Sequence, residues 1–294
     1  MNGKISNPWQ VRLAEEITVR GKRCILVKNG ALEFLFNADN ALDVVWARYK
    51  GVNVSFLSKN GLNDGKRDFF GNFEGGFLYT CGTDNVSSCV KGRPVHGSMH
   101  YKAAEKVCTY EENGDVFVCG EVRDAALFGK NIAVKRRFCV SENSLTVSDT
   151  VKNEGFTDGE YVLLYHFNYG YPFLDEGLEM TVPAKKSEPL TKIAKKRAAE
   201  MYKITAPADG GEEDVYYHYM EKGEIRLYSA KLGIGAEMTY DTADFPVTLE
   251  WKSMISGDYA LGIEPSFTRF DDFRMRKIAS GNEDEHKITI KFLG

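Results

Sequence analysis

The amino-acid sequence predicts an all-β protein: a large antiparallel β-sandwich with at most one or two short helices, forming one domain over residues 1–294. Three observations carry this prediction. Short alternating or continuously apolar segments recur from Cys24 onward, broken by Gly, Asn and Asp at the intervals of all-β folds. An Asn113-Gly114 dipeptide, able to adopt the positive φ angles of a tight hairpin turn, separates two such segments. No helix-length crossover lies between successive candidates, so antiparallel meanders are the natural connection.

In chain order, strand candidates fall at residues 23–27, 32–37, 42–49 and 52–57, then at 106–110 and 116–122 on either side of the Asn-Gly turn. Residues 131–140, 145–151 and 161–168 follow, and the last third adds 224–230, 235–240, 247–251, 259–264 and 287–292. One helix is expected, over 187–201, rich in Lys and Ala, with Ser187 as N-cap ahead of Pro189 in the first turn. There is no Pro/Gly/Ser-rich linker, low-complexity segment or internal repeat. At the usual interval the pattern amounts to roughly 15 to 20 strands.

Composition narrows the partners. With 38 Lys plus Arg against 42 Asp plus Glu, the net charge of -4 has the wrong sign to gather nucleic-acid phosphates. The N-terminal residues lack the apolar core of a signal peptide and no apolar run is long enough to span a bilayer, so a cytoplasmic protein without a membrane partner is expected. The six cysteines (Cys24, Cys81, Cys89, Cys108, Cys119, Cys139) form no Cys-x-x-Cys pair and read as buried small apolar residues. Cys108 and Cys119 flank the hairpin turn closely enough for a disulfide in an oxidising setting.

Candidate chemistry centres on residues 161–177, where an apolar strand runs into His166, Asn168 and Asp175. Period-2 geometry puts Val162, Leu164, His166 and Asn168 on one face, so a buried imidazole must find a partner or a ligand there. A satisfied core histidine is the plain alternative. In residues 259–265, Glu264 shares its face with Ala260 and Gly262, which leaves room over the strand, and Pro265 holds it extended. An edge carboxylate facing water is the alternative here. The glycine-punctuated run from Gly75 onward offers Asp84 and Asn85, short polar side chains that could bind hydroxyls or equally stabilise their own turn, and then His96-Gly97, an imidazole displayed on a loop. His96 and His100 have the i, i+4 spacing of a metal-binding helix without a His-Glu-x-x-His motif, so no metal is expected. No Ser occupies a Gly-x-Ser-x-Gly elbow, so acyl-enzyme chemistry has no visible nucleophile.

These segments together resemble the aldose 1-epimerase (galactose mutarotase-like) superfamily, and most closely its loosely characterised bacterial aldose 1-epimerase-like group. The likeness runs in order through Ala-Leu-Asp-Val (41–44), Tyr-Lys-Gly-Val (49–52), Ser-Phe-Leu-Ser (55–58), the glycine-rich run, His96-Gly97, the His166 stretch, Val-Tyr-Tyr-His ending at His218, and the segment ending in Glu264-Pro265. The resemblance implies a galactose mutarotase-like supersandwich, a sugar-active protein and no cofactor. It makes His166 the general acid near the ring oxygen, Glu264 the base at the anomeric hydroxyl and His96 a supporting sugar contact, with Asp84, Asn85, Asn168 and His218 as further substrate-binding candidates. The chain departs from the pattern at Ser98, where relatives carry Arg after His-Gly, and at Asn40-Ala41, where they carry Arg-Gly. Loss of a guanidinium removes a bidentate contact and leaves the sugar open.

The expected activity is interconversion of the α and β anomers of an aldose or modified aldose, in carbohydrate metabolism. A carboxylate and an imidazole on opposite sides of the ring suffice, since positioned acid and base groups each contribute about 10²- to 10⁴-fold. Tyr169, Tyr171 and Trp251 are candidates to stack on the sugar. The alternative from another class is a carbohydrate-binding protein without turnover. A polysaccharide lyase or glycoside hydrolase is weaker, because hydrolysis wants two carboxylates and only Glu264 presents itself. The partner expected is a small-molecule sugar, bound by a monomer or homodimer.

Overall fold

The structure, a computed structural model, describes residues 12–63, 68–87 and 92–294. Among these, twenty strands form three antiparallel sheets. The first is a five-stranded meander from Arg12–Val19 to Val52–Asn53. The second has eight strands, ordered Glu179–Thr181, Gly223–Ser229, Ile234–Tyr240, Glu283–Leu293, Ser144–Asn153, Asn131–Val140, Asp115–Ala125 and Ala104–Glu112. The third begins at the edge strand Ala184–Pro189 and continues through Asp214–Met220, Val247–Ser253 and Ala260–Ser266 to Gly159–Gly170. Leu78–Thr83 and Arg276–Ile278 both pair with that last strand, completing seven.

Two layers result. The five- and seven-stranded sheets meet where Ser55 bridges Tyr169 and the Phe56 N–H donates to the Asn168 carbonyl. The eight-stranded sheet lies against both: Phe36 packs on Phe138, Phe34 on Phe292, and Tyr165 donates 2.7 Å to Asp149. The strand patterns follow from this position. Ser144–Asn153 alternates buried with half-buried residues because only one of its faces meets the core. Gly159–Gly170 is buried from Tyr161 to its end, as its unbroken apolar run demands.

A polar spine ties the layers together. Fully buried Arg136 binds Asp149 through both carboxylate oxygens, at 2.9 and 2.7 Å, and Asp43 at 2.7 Å. Asp43 also accepts from Thr80 and meets His100 at 2.8 Å, while the other ring nitrogen of His100 lies 3.3 Å from Glu74. One residue from each sheet is therefore held by one guanidinium or its partners. The Asp of the Ala-Leu-Asp-Val motif is an anchor between sheets.

Several expectations change. The Asn-Gly hairpin forms, with Asn113 at φ +52° and Gly114 at +89°. The expected helix at 187–201 does not: Ser187 lies in the edge strand Ala184–Pro189, and the range holds only a short α-helix at Lys192–Lys196, capped by Thr191, and a 3-10 turn at Ala198–Glu200. The Lys- and Ala-rich composition suits a helix, but pairing with Asp214–Met220 claims its first residues for the sheet. Cys24 and Cys81 are buried as expected, whereas Cys108 is exposed and Cys119 and Cys139 half-buried, because they alternate onto the outer face of the eight-stranded sheet. Cys108 and Cys119 face each other as free thiols. Cys89 and the N-terminal residues 1–11 lie outside the described residues. No described helix is long and apolar enough to cross a membrane.

Candidate functional site

The register of the seven-stranded sheet places the candidate residues. Phe167 pairs with Ile263 and Asn168 with Gly262, which sets His166 opposite Glu264. Glu264 pairs with Leu249, and Leu249 with Tyr217, so these side chains share one face. That face points away from the eight-stranded sheet. His166 Nε2 lies 3.1 Å from Glu264 Oε1, and the two side chains are 5% and 3% exposed.

Gly262 is what allows this contact. A Cβ there would stand 2.8 Å from both Glu264 Oε1 and His166 Cε1. The bare face beside Glu264 is thus occupied by the pair itself, and the imidazole and carboxylate touch instead of facing each other across a gap.

Aromatic side chains roof the pair. Trp251 and Phe73 lie edge-on or tilted to the His166 ring at 5.5 and 5.8 Å, and Phe73 also meets Trp251. Glu213 fixes the Trp251 indole by accepting its N–H at 2.7 Å. His96 stands 5.9 Å from His166, between Phe69 and Phe270, with Nδ1 bound to the Val86 carbonyl at 2.8 Å. His96 itself has a left-handed φ of +58°.

Burial governs the electrostatics. It raises the Glu264 carboxyl well above its usual range, helped by the charge of Glu213, because an ion in an apolar enclosure is costly. It also drives His166 well below its usual range, with His96 adding to the effect and the Asn168 amide tempering it. Burial lowers His96 as well, against its bond to Val86. Both shifts favour the uncharged form of each group. His166 Nδ1 and Asn168 Oδ1, neighbours on this face, complete no hydrogen bond among the described residues. The Asn168 amide nitrogen is pinned by the carbonyls of Gly76 and His166, so its oxygen is held in place.

The other candidates sit differently. Asp84 Oδ1 accepts from the Ser98 N–H and hydroxyl, and buried Asn85 bonds Ser87 and Pro94; both build the His96 loop. His218 faces the other way: it pairs with Ser187 and Thr248, one position out of step with Tyr217 and Leu249, so it points toward the eight-stranded sheet and is not part of the His166 wall. Tyr169 packs in the core against Phe77, Tyr171 is 65% exposed, and only Trp251 of the proposed stacking residues meets the pair. Asp175 binds Lys231 at 2.5 Å on the surface. Sequence reading missed Phe69, Phe73 and Phe270; the signal was the aromatic density of Asp-Phe-Phe-Gly-Asn-Phe (68–73), which period-2 patterning ignores. Two clefts, of about 1050 and 210 Å³, lie elsewhere, the larger along Arg137, Ser148 and Lys287.

Comparison with known proteins agrees with this architecture. No curated protein matches the chain in sequence. A Klebsiella pneumoniae protein provisionally named an aldose 1-epimerase superposes with a TM-score of 0.84 at 17% identity, covering 96% of this chain and 83% of that one. A galactose mutarotase-like protein from Clostridium acetobutylicum gives 0.75 at 13% identity over 96% and 98% of the two chains. One from Lactobacillus casei gives 0.63 at 11% over 92% and 99%. The pattern of the family described as "Domain of unknown function (DUF4432)" matches residues 19–288. Sharing the fold of the aldose 1-epimerase superfamily and this family's pattern over nearly its whole length, the chain belongs to the DUF4432 family.

Proposed function

We propose that the protein is a carbohydrate-active isomerase that interconverts the α and β anomers of an aldose or modified aldose by acid/base catalysis. The observation that carries this reading is the buried contact between His166 and Glu264 at 3.1 Å. The anomeric hydroxyl and the ring oxygen are bonded to the same carbon, so an acid and a base in contact reach both oxygens at once. Transfer of a proton from Glu264 to His166 gives a carboxylate that takes the hydroxyl proton and an imidazolium that protonates the ring oxygen. The C1–ring oxygen bond then breaks, the aldehyde rotates, and the reverse transfers close the ring. Trp251 and Phe73 supply an apolar surface for the sugar and exclude water.

Saturation-transfer NMR over a panel of neutral and charged aldoses tests the reading: at least one sugar should exchange anomers faster with protein present. Failure across the panel sinks it. A second reading, sugar binding without turnover, draws support from the sealing of the pair and from Ser98 bonding Asp84 in place of a sugar. Saturable heat of binding with no accelerated exchange would select it.

A further inference from the structure

On the opposite face of the same sheet lies a second chain of titratable groups. Glu250 Oε2 is 2.9 Å from His218 Nε2, His218 Nδ1 is 2.8 Å from Ser187 Oγ, and Ser187 Oγ is 3.1 Å from the Tyr202 hydroxyl. Glu250 and His218 are fully buried, Ser187 is half-buried and Tyr202 is 39% exposed, so the chain runs from the interior to the surface at the sheet edge. The strands bring it together: Ser187 and His218 are cross-strand partners, and Glu250 stands diagonally from His218 on the next strand. The ring of Tyr202 stacks over His218.

The direction of the hydrogen bonds follows from Glu250. A carboxylate only accepts, so His218 donates from Nε2, and in the neutral imidazole Nδ1 is then the acceptor facing Ser187. Ser187 must then donate to Nδ1, and Tyr202 donates to Ser187. Glu250 Oε1 completes no hydrogen bond among the described residues, and Lys252 lies 3.8 Å from it. The carboxylate's one side-chain hydrogen bond is thus spent on orienting the imidazole as a base for a serine. That is the nucleophile, base and orienting-acid logic of acyl transfer, with the two ring nitrogens exchanged relative to the commonest arrangement. Glu200 and Lys203, which flank Tyr202 in sequence, and Lys252, which lies 3.8 Å from Glu250, are among the residues lining the cleft of about 210 Å³.

We infer that Ser187, His218 and Glu250 form a second catalytic site that hydrolyses short-chain carboxylic esters through an acyl-serine. Ser187 Oγ attacks the carbonyl carbon as its proton passes to His218 Nδ1. The carbon–alkoxide bond breaks and the alcohol leaves with that proton. Water, deprotonated by His218, then releases the carboxylic acid and restores the serine. The Tyr202 hydroxyl, beside Oγ, is placed to donate to the tetrahedral oxyanion. Glu250 is a positioning residue. The site is separate from the His166 pair and does not depend on its activity.

The experiment treats the full chain with a fluorophosphonate probe and, separately, with p-nitrophenyl acetate. Mass spectrometry should find the adduct on Ser187, and ester turnover should exceed that of Ser187→Ala by roughly 10² or more, the scale of a positioned base. Both signals should persist in Glu264→Gln and vanish in His218→Asn. Glu250→Gln, whose amide can donate to Nε2 and so favour the wrong tautomer, should lower kcat about 10- to 10²-fold with KM unchanged. Ser187 is half-buried, so Ser187→Ala keeps the fold, as circular dichroism would verify. Wild-type turnover equal to that of Ser187→Ala, or a probe adduct that Ser187→Ala does not remove, overturns the inference and leaves the chain as a pin for the edge strand.

Discussion

At the scale of single residues, the site is decided by what Gly262 lacks. Gly262→Ala would push a methyl group against both Glu264 and His166, and neither can retreat far beneath Phe73 and Trp251. The expected result is loss of anomer exchange at a stability cost of about 1–3 kcal/mol, the range for a small overpacking; denaturant unfolding and saturation-transfer NMR on one preparation would separate the two effects. Glu264→Gln should abolish exchange while sugar binding persists in calorimetry, and unchanged turnover would remove Glu264 from the mechanism. Both members of the pair were legible in the sequence, since an imidazole and a carboxylate each lay on an otherwise apolar strand. Their contact was not legible. It depends on the pairing of Gly159–Gly170 with Ala260–Ser266, which nothing in either segment specifies alone.

At the scale of elements, the His96 loop is built around Gly97. Its φ is +78°, and a Cβ would meet the carbonyl oxygens of Asn85 and Gly82 at 2.3 and 2.4 Å. Gly97→Ala therefore combines an unfavourable backbone region with a clash against rigid main chain, and should release the loop at a cost above about 1 kcal/mol. Limited proteolysis and loss of the His96 ring contacts in NMR would register it. The strands themselves were read well where one side packs on the core, as in Asn131–Val140. Arg12–Val19 escaped because it packs little surface and alternates weakly, and Ala184–Pro189 because local composition favoured a helix while pairing with Asp214–Met220 decided otherwise. That same misreading hid Ser187, which is a nucleophile candidate only once a neighbouring strand presents His218.

At the scale of the whole molecule, the spine through Arg136 holds the layers in register. Arg136→Met would leave Asp43 and Asp149 buried without their cation, so urea unfolding should show a loss of about 3–5 kcal/mol. His100 makes stability depend on pH. Burial alone would lower its pKa, but the hydrogen bonds it donates to Asp43 and Glu74 and the charges of those carboxylates outweigh it and raise it from 6.5 to about 9. Its contribution is therefore fully present below about pH 6.5 and is lost as pH rises through about 9. Unfolding free energies measured across that window should fall in the wild type and flatten in His100→Gln. The aromatic cover over His166 has a kinetic consequence. Under the proposed function, a sugar would reach a pair only 3–5% exposed when Phe73 and Trp251 part, so the measured affinity would be the intrinsic one scaled by the fraction of molecules that stand open. If opening precedes capture, the observed association rate should level off with rising sugar concentration at the opening rate, and Phe73→Ala should lift that plateau.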